Sequence, residues 1–118
     1  MCGTLKKVYN LLGIAQRAGK LSAGTMAAKN SLTRRRAVLL IISDDIAENS
    51  RDDLLSSSNR HGIPAIAFGS KYDLGTALGK AYRVALTIND VGIAKAILQV
   101  LAESGEEIKT MGVVEWPK

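Results

Sequence analysis

Ala37-Val38-Leu39-Leu40-Ile41-Ile42, set between Arg34-Arg35-Arg36 and Ser43-Asp44-Asp45, decides the fold of this 118-residue chain. A short run of branched aliphatics bounded by charge at both ends is the pattern of a strand buried on both faces. Such a strand needs cover from both sides, so Val38 to Ile42 is expected to be the central strand of a sheet.

Reading toward the C-terminus, residues 46–60 predict a helix, with Asn49 or Ser50 as its cap and Leu54-Leu55 facing inward. His61-Gly62 closes it, and residues 63–68 form a second strand around Ile63-Pro64-Ala65-Ile66. Ser70-Lys71-Tyr72-Asp73 matches a capping box and opens a short helix through Leu78. Residues 84–88 predict another strand. Asn89-Asp90 then caps a last helix in which Ala94, Ile97, Leu98 and Leu101 share one face, ended by Ser104-Gly105.

Toward the N-terminus, residues 25–35 form a basic helix after Gly24, with Ala28 and Leu32 one turn apart on one face. Residues 4–18 form another helix, with Leu5, Val8, Leu12 and Ala15 on one side and Gly19 as a left-handed stop. Strands alternating with helices predict an α/β sandwich with an at least partly parallel sheet. Residues 1–105 read as one domain, and residues 106–118 as a tail of no clear period.

Charge is divided unevenly. Residues 1–43 hold eight bases, Lys6, Lys7, Arg17, Lys20, Lys29, Arg34, Arg35 and Arg36, and no acid, whereas the rest holds eight bases against eleven acids. The two parts are therefore +8 and −3, which points to a polyanion met by one face. Hydrophobic residues make up 47% of the chain, too many for a disordered basic tail, so the bases are expected on a folded scaffold.

Cys2 and His61 are the only residues of their types, which removes disulfide frameworks and Cys/His metal sites. The single cysteine fits a reducing cytoplasm. No apolar run approaches the roughly 20 residues that span a bilayer, so no membrane partner is expected. Gly13 to Lys20 and Gly75 to Lys80 have the wrong spacing for a phosphate loop and read as caps and turns. The paired acids come with no nucleophile, histidine or ligand spacing, and Asp44-Asp45 reads as a helix start, so neither catalysis nor a cofactor is expected.

Lys20, Gly24, Lys29 and the three arginines fall within seventeen residues around the start of the second helix. Free backbone N–H groups and the helix dipole favour phosphate there. Gly24 lets a nucleic-acid backbone approach closely, and Thr25 and Asn30 offer neutral donors and acceptors. The aromatic residues are few and scattered, so a structured RNA is expected rather than a stacked single strand. The alternative is a protein-interaction module in which Met26 and Ala27 meet a partner and the arginines only solubilise.

Three blocks carry a resemblance over about residues 5–102: Leu11-Leu12-Gly13-Ile14-Ala15-Gln16-Arg17-Ala18-Gly19-Lys20-Leu21 with Gly24, the strand from Ala37 through Asp45, and Ser70-Lys71-Tyr72-Asp73-Leu74-Gly75 followed by Gly79-Lys80. The chain resembles the kink-turn RNA-binding ribosomal proteins, the large-subunit seven-Ae and thirty-e family, including its bacterial YlxQ-type branch. The resemblance implies a three-layer α/β/α sandwich around a mixed four-stranded sheet. It also implies a non-enzymatic protein whose partner is structured RNA of the ribosomal kind, and through it the ribosome. RNA is then placed on the start of the second helix and on the loop near the last strand. Gly24 matches the family's glycine there, Arg34 a basic position at the helix end, and Lys71 the lysine of the Ser-Lys element. Met26 and Ala27 stand where the family has an Asn-Glu pair, and Asn30 where it has a lysine. Met and Ala cannot read sheared G·A pairs by hydrogen bonding. Phosphate contacts are accordingly expected from Lys20, Lys29, Arg34, Arg35, Arg36, Lys71, Lys80 and Arg83.

Overall fold

The computed structural model describes residues 2–104 and 109–112. The side chain of Leu5, Gly105 at the expected end of the last helix, and the rest of the 106–118 segment with Trp116 and Pro117 lie outside the described residues. In chain order the elements are α1 (Cys2–Arg17), β1 (Leu21–Ala23), α2 (Thr25–Thr33), β2 (Leu39–Ile42), α3 (Glu48–Arg60), β3 (Pro64–Ala67), α4 (Lys71–Ala77), β4 (Ala85–Ile88), α5 (Val91–Ser104) and β5 (Lys109–Gly112).

β2 lies in the middle of the sheet, whose order is β1-β4-β2-β3-β5. It runs parallel to β3 and antiparallel to β4, so the sheet is mixed. All four of its residues are buried, as its aliphatic run requires. The period of two then divides the core. Leu39 and Ile41 point to one face with Val8, Leu12 and Ala15 of α1, Leu74 of α4, and Ala94, Ile97 and Leu101 of α5. Leu40 and Ile42 point to the other, with Ala28 and Leu32 of α2 and Leu54 of α3. Each fully buried Leu or Ile stabilises the fold by about 2 kcal/mol over an exposed one, and the core is spread over both faces of one sheet. This is the three-layer α/β/α sandwich, with α1, α4 and α5 on one side and α2 and α3 on the other.

The four strands β1, β4, β2 and β3 form the expected mixed sheet, and β5 adds a fifth along β3, with Lys109 opposite Ala67 and Gly112 opposite Pro64. Neither β1 nor β5 is visible in hydrophobic periodicity. β1 has only three residues, each half-buried, and its register comes from pairing Leu21, Ser22 and Ala23 with Ile88, Thr87 and Leu86.

Two helix starts follow the sequence. Ser70 accepts from the Asp73 N–H at 3.1 Å while the Ser70 N–H donates back to Asp73, and Asp90 accepts from the Ile93 N–H at 2.9 Å. A third start differs. α3 begins at Glu48, with Ala47 as its cap; the Ala47 carbonyl accepts the first helical bond from the Arg51 N–H, its methyl can make no side-chain bond, and neither Asn49 nor Ser50 serves as cap. Asp45 does act at a helix start, but at that of α4, accepting from the Lys71 N–H at 3.0 Å. α2 ends at Thr33 rather than Arg35, since Arg35 adopts a left-handed φ of 61°.

Candidate nucleic-acid interface

The pairing registers sort the loops into two groups at opposite ends of the strands. β2 and β3 run parallel, so their carboxyl ends lie together, beside the start of antiparallel β4 and the end of β1. This edge carries Gly24, Asp44-Asp45, Gly69 to Lys71 and Tyr82-Arg83. The other edge carries Lys20, Arg34 to Arg36 and Asn89. α2 connects the two, and its nine residues at about 1.5 Å each place its ends roughly 13 Å apart.

At the first edge an open cleft of about 550 Å³ is lined by Gly24, Thr25, Met26, Ala27, Asn30, Tyr82 and Arg83 with Ala23 and Val84. Gly24 takes φ 102°, ψ 158°, a backbone that a residue with a Cβ avoids, and no side chain caps α2. Its own N–H is used, donating to the Ala85 carbonyl at 2.8 Å, and its carbonyl accepts from Ala28. The N–H groups of Thr25, Met26 and Ala27 have no acceptor among the described residues and form the positive end of the helix dipole. An anion is favoured there.

The opposite wall of the cleft is held from below. A Cβ on Gly75 would come within 2.5 Å of the Tyr82 Cα, so only glycine lets the loop before β4 lie against α4. The Arg83 N–H donates to the Lys71 carbonyl at 2.9 Å, tying that loop to the start of α4. Lys71 Nζ stands 5.3 Å from the Tyr72 ring centroid and 5.8 Å from that of Tyr82. The lysine is therefore cradled by two exposed aromatic faces. Tyr72 and Tyr82, ten residues apart in the sequence, are gathered here; the only hint was that each adjoins a basic residue. Lys80 is exposed in the loop from α4 to β4 and does not line the cleft.

Nearby, the Ser43 hydroxyl and the Lys71 N–H hold the exposed Asp45 carboxyl below its usual range. Tyr9 packs against Phe68 at 5.4 Å between ring centroids, and burial, with Asp73 and Asp44 close by, pushes its phenol up to about 12. Tyr9 is thus a neutral structural group behind the edge.

The remaining basic residues do not converge on Gly24. Lys29 points to α3, where Nζ lies 2.9 Å from Asp53 Oδ2. Arg34 and Arg36 line a groove of about 230 Å³ with Ser22, Ala27, Asn30 and Ser31, beyond the middle of α2. Ala27 and Asn30 border both the cleft and this groove. Lys20 sits at the far end of β1 from Gly24, its carbonyl accepting from the Asn89 N–H. Arg35 turns away and lines a separate hollow with Arg60, His61 and Ile63. The seventeen-residue cluster is thus split between two edges. No group of three or more metal-ligating side chains occurs among the described residues, and no described helix is long and apolar enough to cross a membrane.

The model of the ribosomal protein L7Ae/L30e/S12e/Gadd45 family matches residues 6–98. The RNA-binding protein YlxQ of Bacillus subtilis (strain 168) is 28% identical over 93 residues, covering 79% of this chain and 93% of that protein. The large ribosomal subunit protein eL30 of Sulfolobus acidocaldarius is 32% identical over 89 residues, covering 74% of this chain and 85% of eL30. Among solved structures, that of a protein of unknown function from Bacillus halodurans superposes with a TM-score of 0.77 at 28% identity, covering 81% of this chain and 97% of that one.

Proposed function

Because the chain belongs to the ribosomal protein L7Ae/L30e/S12e/Gadd45 family, on the side of its bacterial YlxQ-type members, we propose that it is an RNA-binding protein without catalytic activity, acting on structured RNA of the ribosomal kind. The observation that carries this reading is the uncapped start of α2, with three N–H groups lacking acceptors among the described residues, opening on a cleft walled by Arg83 and backed by Lys71. A phosphate enters beneath Thr25 to Ala27, and Arg83 and Lys71 supply the full charge that backbone dipoles lack. Asn30 is the one polar side chain of α2 that borders both the cleft and the groove, and it is placed to touch a base edge or a 2′-hydroxyl. Met26 and Ala27 meet RNA by shape and apolar contact, so a kink-turn's sheared pairs are not read here by side-chain hydrogen bonds.

The protein-interaction alternative rests on one feature, Met26, which is 78% exposed beside the cleft. Salt separates the two. Affinity for structured RNA is expected to fall steeply with ionic strength. Arg83→Ala with Lys71→Ala is expected to reduce the log–log slope by about one, since a phosphate no longer neutralised removes roughly 0.9. A salt-independent response, or no retention of RNA, rejects RNA binding in favour of a protein partner.

A further inference from the structure

Three successive arginines at the end of α2 serve two different places. Among the described residues Arg35 is the only non-glycine with positive φ, and that left-handed turn sends its side chain away from the groove shared by Arg34 and Arg36. It joins instead the end of α3, where Arg60 and the cap residue His61 complete a hollow of about 260 Å³ with Ile63. We propose that this hollow binds a backbone phosphate of RNA, outside the Gly24 cleft and at the opposite edge of the sheet.

The charge arrangement carries the argument. Arg35 and Arg60 make no ion pair among the described residues, whereas Lys29 and Arg51 both do. Among the described residues no carboxylate lines the hollow, or the groove of Arg34 and Arg36. Cations at helix C-termini offset the dipole, but a single charge at each end is enough for that. The ends of α2 and α3 bring Arg35 and Arg60 to one hollow, and the repulsion between the two in the free protein is relieved by an anion. The left-handed backbone at Arg35 has a cost as well, and it is what divides the arginines between two concave surfaces. Arginine's planar fork suits a phosphodiester, with two parallel N–H donors meeting two oxygens. An acidic peptide would need apolar anchors, and the hollow offers Ile63 alone.

The inference rests on the protein's being RNA-binding, and the test keeps the two apart. Full-length wild-type protein, Arg35→Gln with Arg60→Gln, and the corresponding pair of lysine substitutions are titrated with a structured ribosomal RNA fragment over a range of salt. Arg83→Ala with Lys71→Ala is measured in parallel. The glutamine pair is expected to lower the slope by about one and to weaken binding at low salt, with circular dichroism unchanged, and the lysine pair to restore most of the slope. An unchanged slope for the glutamine pair, while the cleft variant shows a reduced one, overturns the inference and leaves the Gly24 reading intact. RNA binding by none of the proteins overturns the reading itself. Inorganic phosphate and polyglutamate serve as the other arms. Dependence of either on Arg35 and Arg60, without any effect on RNA, would make the hollow a free-phosphate or an acidic-protein site and overturn the inference.

Discussion

The two ends of α2 differ in what they offer an anion. Its N-terminal end holds no charged side chain within Thr25-Met26-Ala27-Ala28, and its pull on an anion comes from bare N–H groups exposed by Gly24. Its C-terminal end presents carbonyls, which repel a phosphate, so any attraction there has to come from side chains, and Arg34 to Arg36 stand there. Charge counted along the sequence is therefore a poor guide to where an anion is held. From the acid-free first 43 residues, Lys20 and Arg34 to Arg36 lie at the edge away from Gly24 and Lys29 on the side of α2. The end that charge counting passes over is the one with the open backbone donors.

If each edge owes its shape to a few contacts, breaking one should damage one edge and spare the other. The largest effect is expected at Gly75. An added methyl would sit 2.5 Å from the Tyr82 Cα and 2.7 Å from its nitrogen, and backbone cannot move aside cheaply. Gly75→Ala is expected to cost about 3 kcal/mol in urea unfolding, within the range for overpacking a tight contact. The folded remainder should bind RNA more weakly through Tyr82 and Arg83. An equal drop in the Arg35-dependent part of the salt slope would show that the edges are not separate.

How much of this could be read from the sequence differs between fold and site. The buried strand 38–42, the Ser70-Asp73 capping box and the faces of α1 and α5 are local patterns, each enforced by the next few residues, and the structure has them. β1 was not legible because a three-residue strand has no period, and its pairing depends on β4 more than sixty residues later. The grouping of the basic side chains was not legible for a related reason. Sequence spacing places Arg34, Arg35 and Arg36 together, but one left-handed residue separates them, and no propensity rule puts arginine there. The cradle of Tyr72 and Tyr82 around Lys71 required Gly75 beneath the loop, a contact that the sequence shows only as one more glycine.

The second edge has its own fixed point, in Asn89. Its Oδ1 accepts from Ser31 Oγ at 2.7 Å and from Thr87 Oγ1 at 3.1 Å, and its Nδ2 donates to Ser22 Oγ at 3.0 Å. One side chain thus joins α2, β1 and β4 beneath the Arg34 groove. Asn89→Ala strips a partner from three hydroxyls, two of them on buried residues, and is expected to cost about 2 kcal/mol. RNA bound through Arg34 and Arg36 should weaken while the Arg83-dependent part of the slope stays. If Arg83's contribution falls equally, α2 moves as a rigid rod and the two ends cannot be tuned apart.

The smallest effect belongs to Lys29, midway between the ends, and it tests whether formal charge or free charge matters. Its ammonium is held by both oxygens of Asp53 at 2.9 and 3.0 Å, with both side chains about half exposed. Such a pair contributes about 0.5 kcal/mol, so Lys29→Ala should barely move the urea midpoint. Its effect on RNA should be equally slight, because a lysine already neutralised must break one ion pair to make another. The slope should fall by well under the roughly 0.9 that removing one phosphate-binding cation produces. Asp53→Asn makes the converse case. It frees the Lys29 charge on a helix that leads from the cleft to the Arg34 groove, and RNA affinity at low salt should rise. A drop of a full unit of slope in Lys29→Ala would mean that RNA displaces Asp53, and the middle of α2 would then join its two ends into one continuous RNA-binding surface.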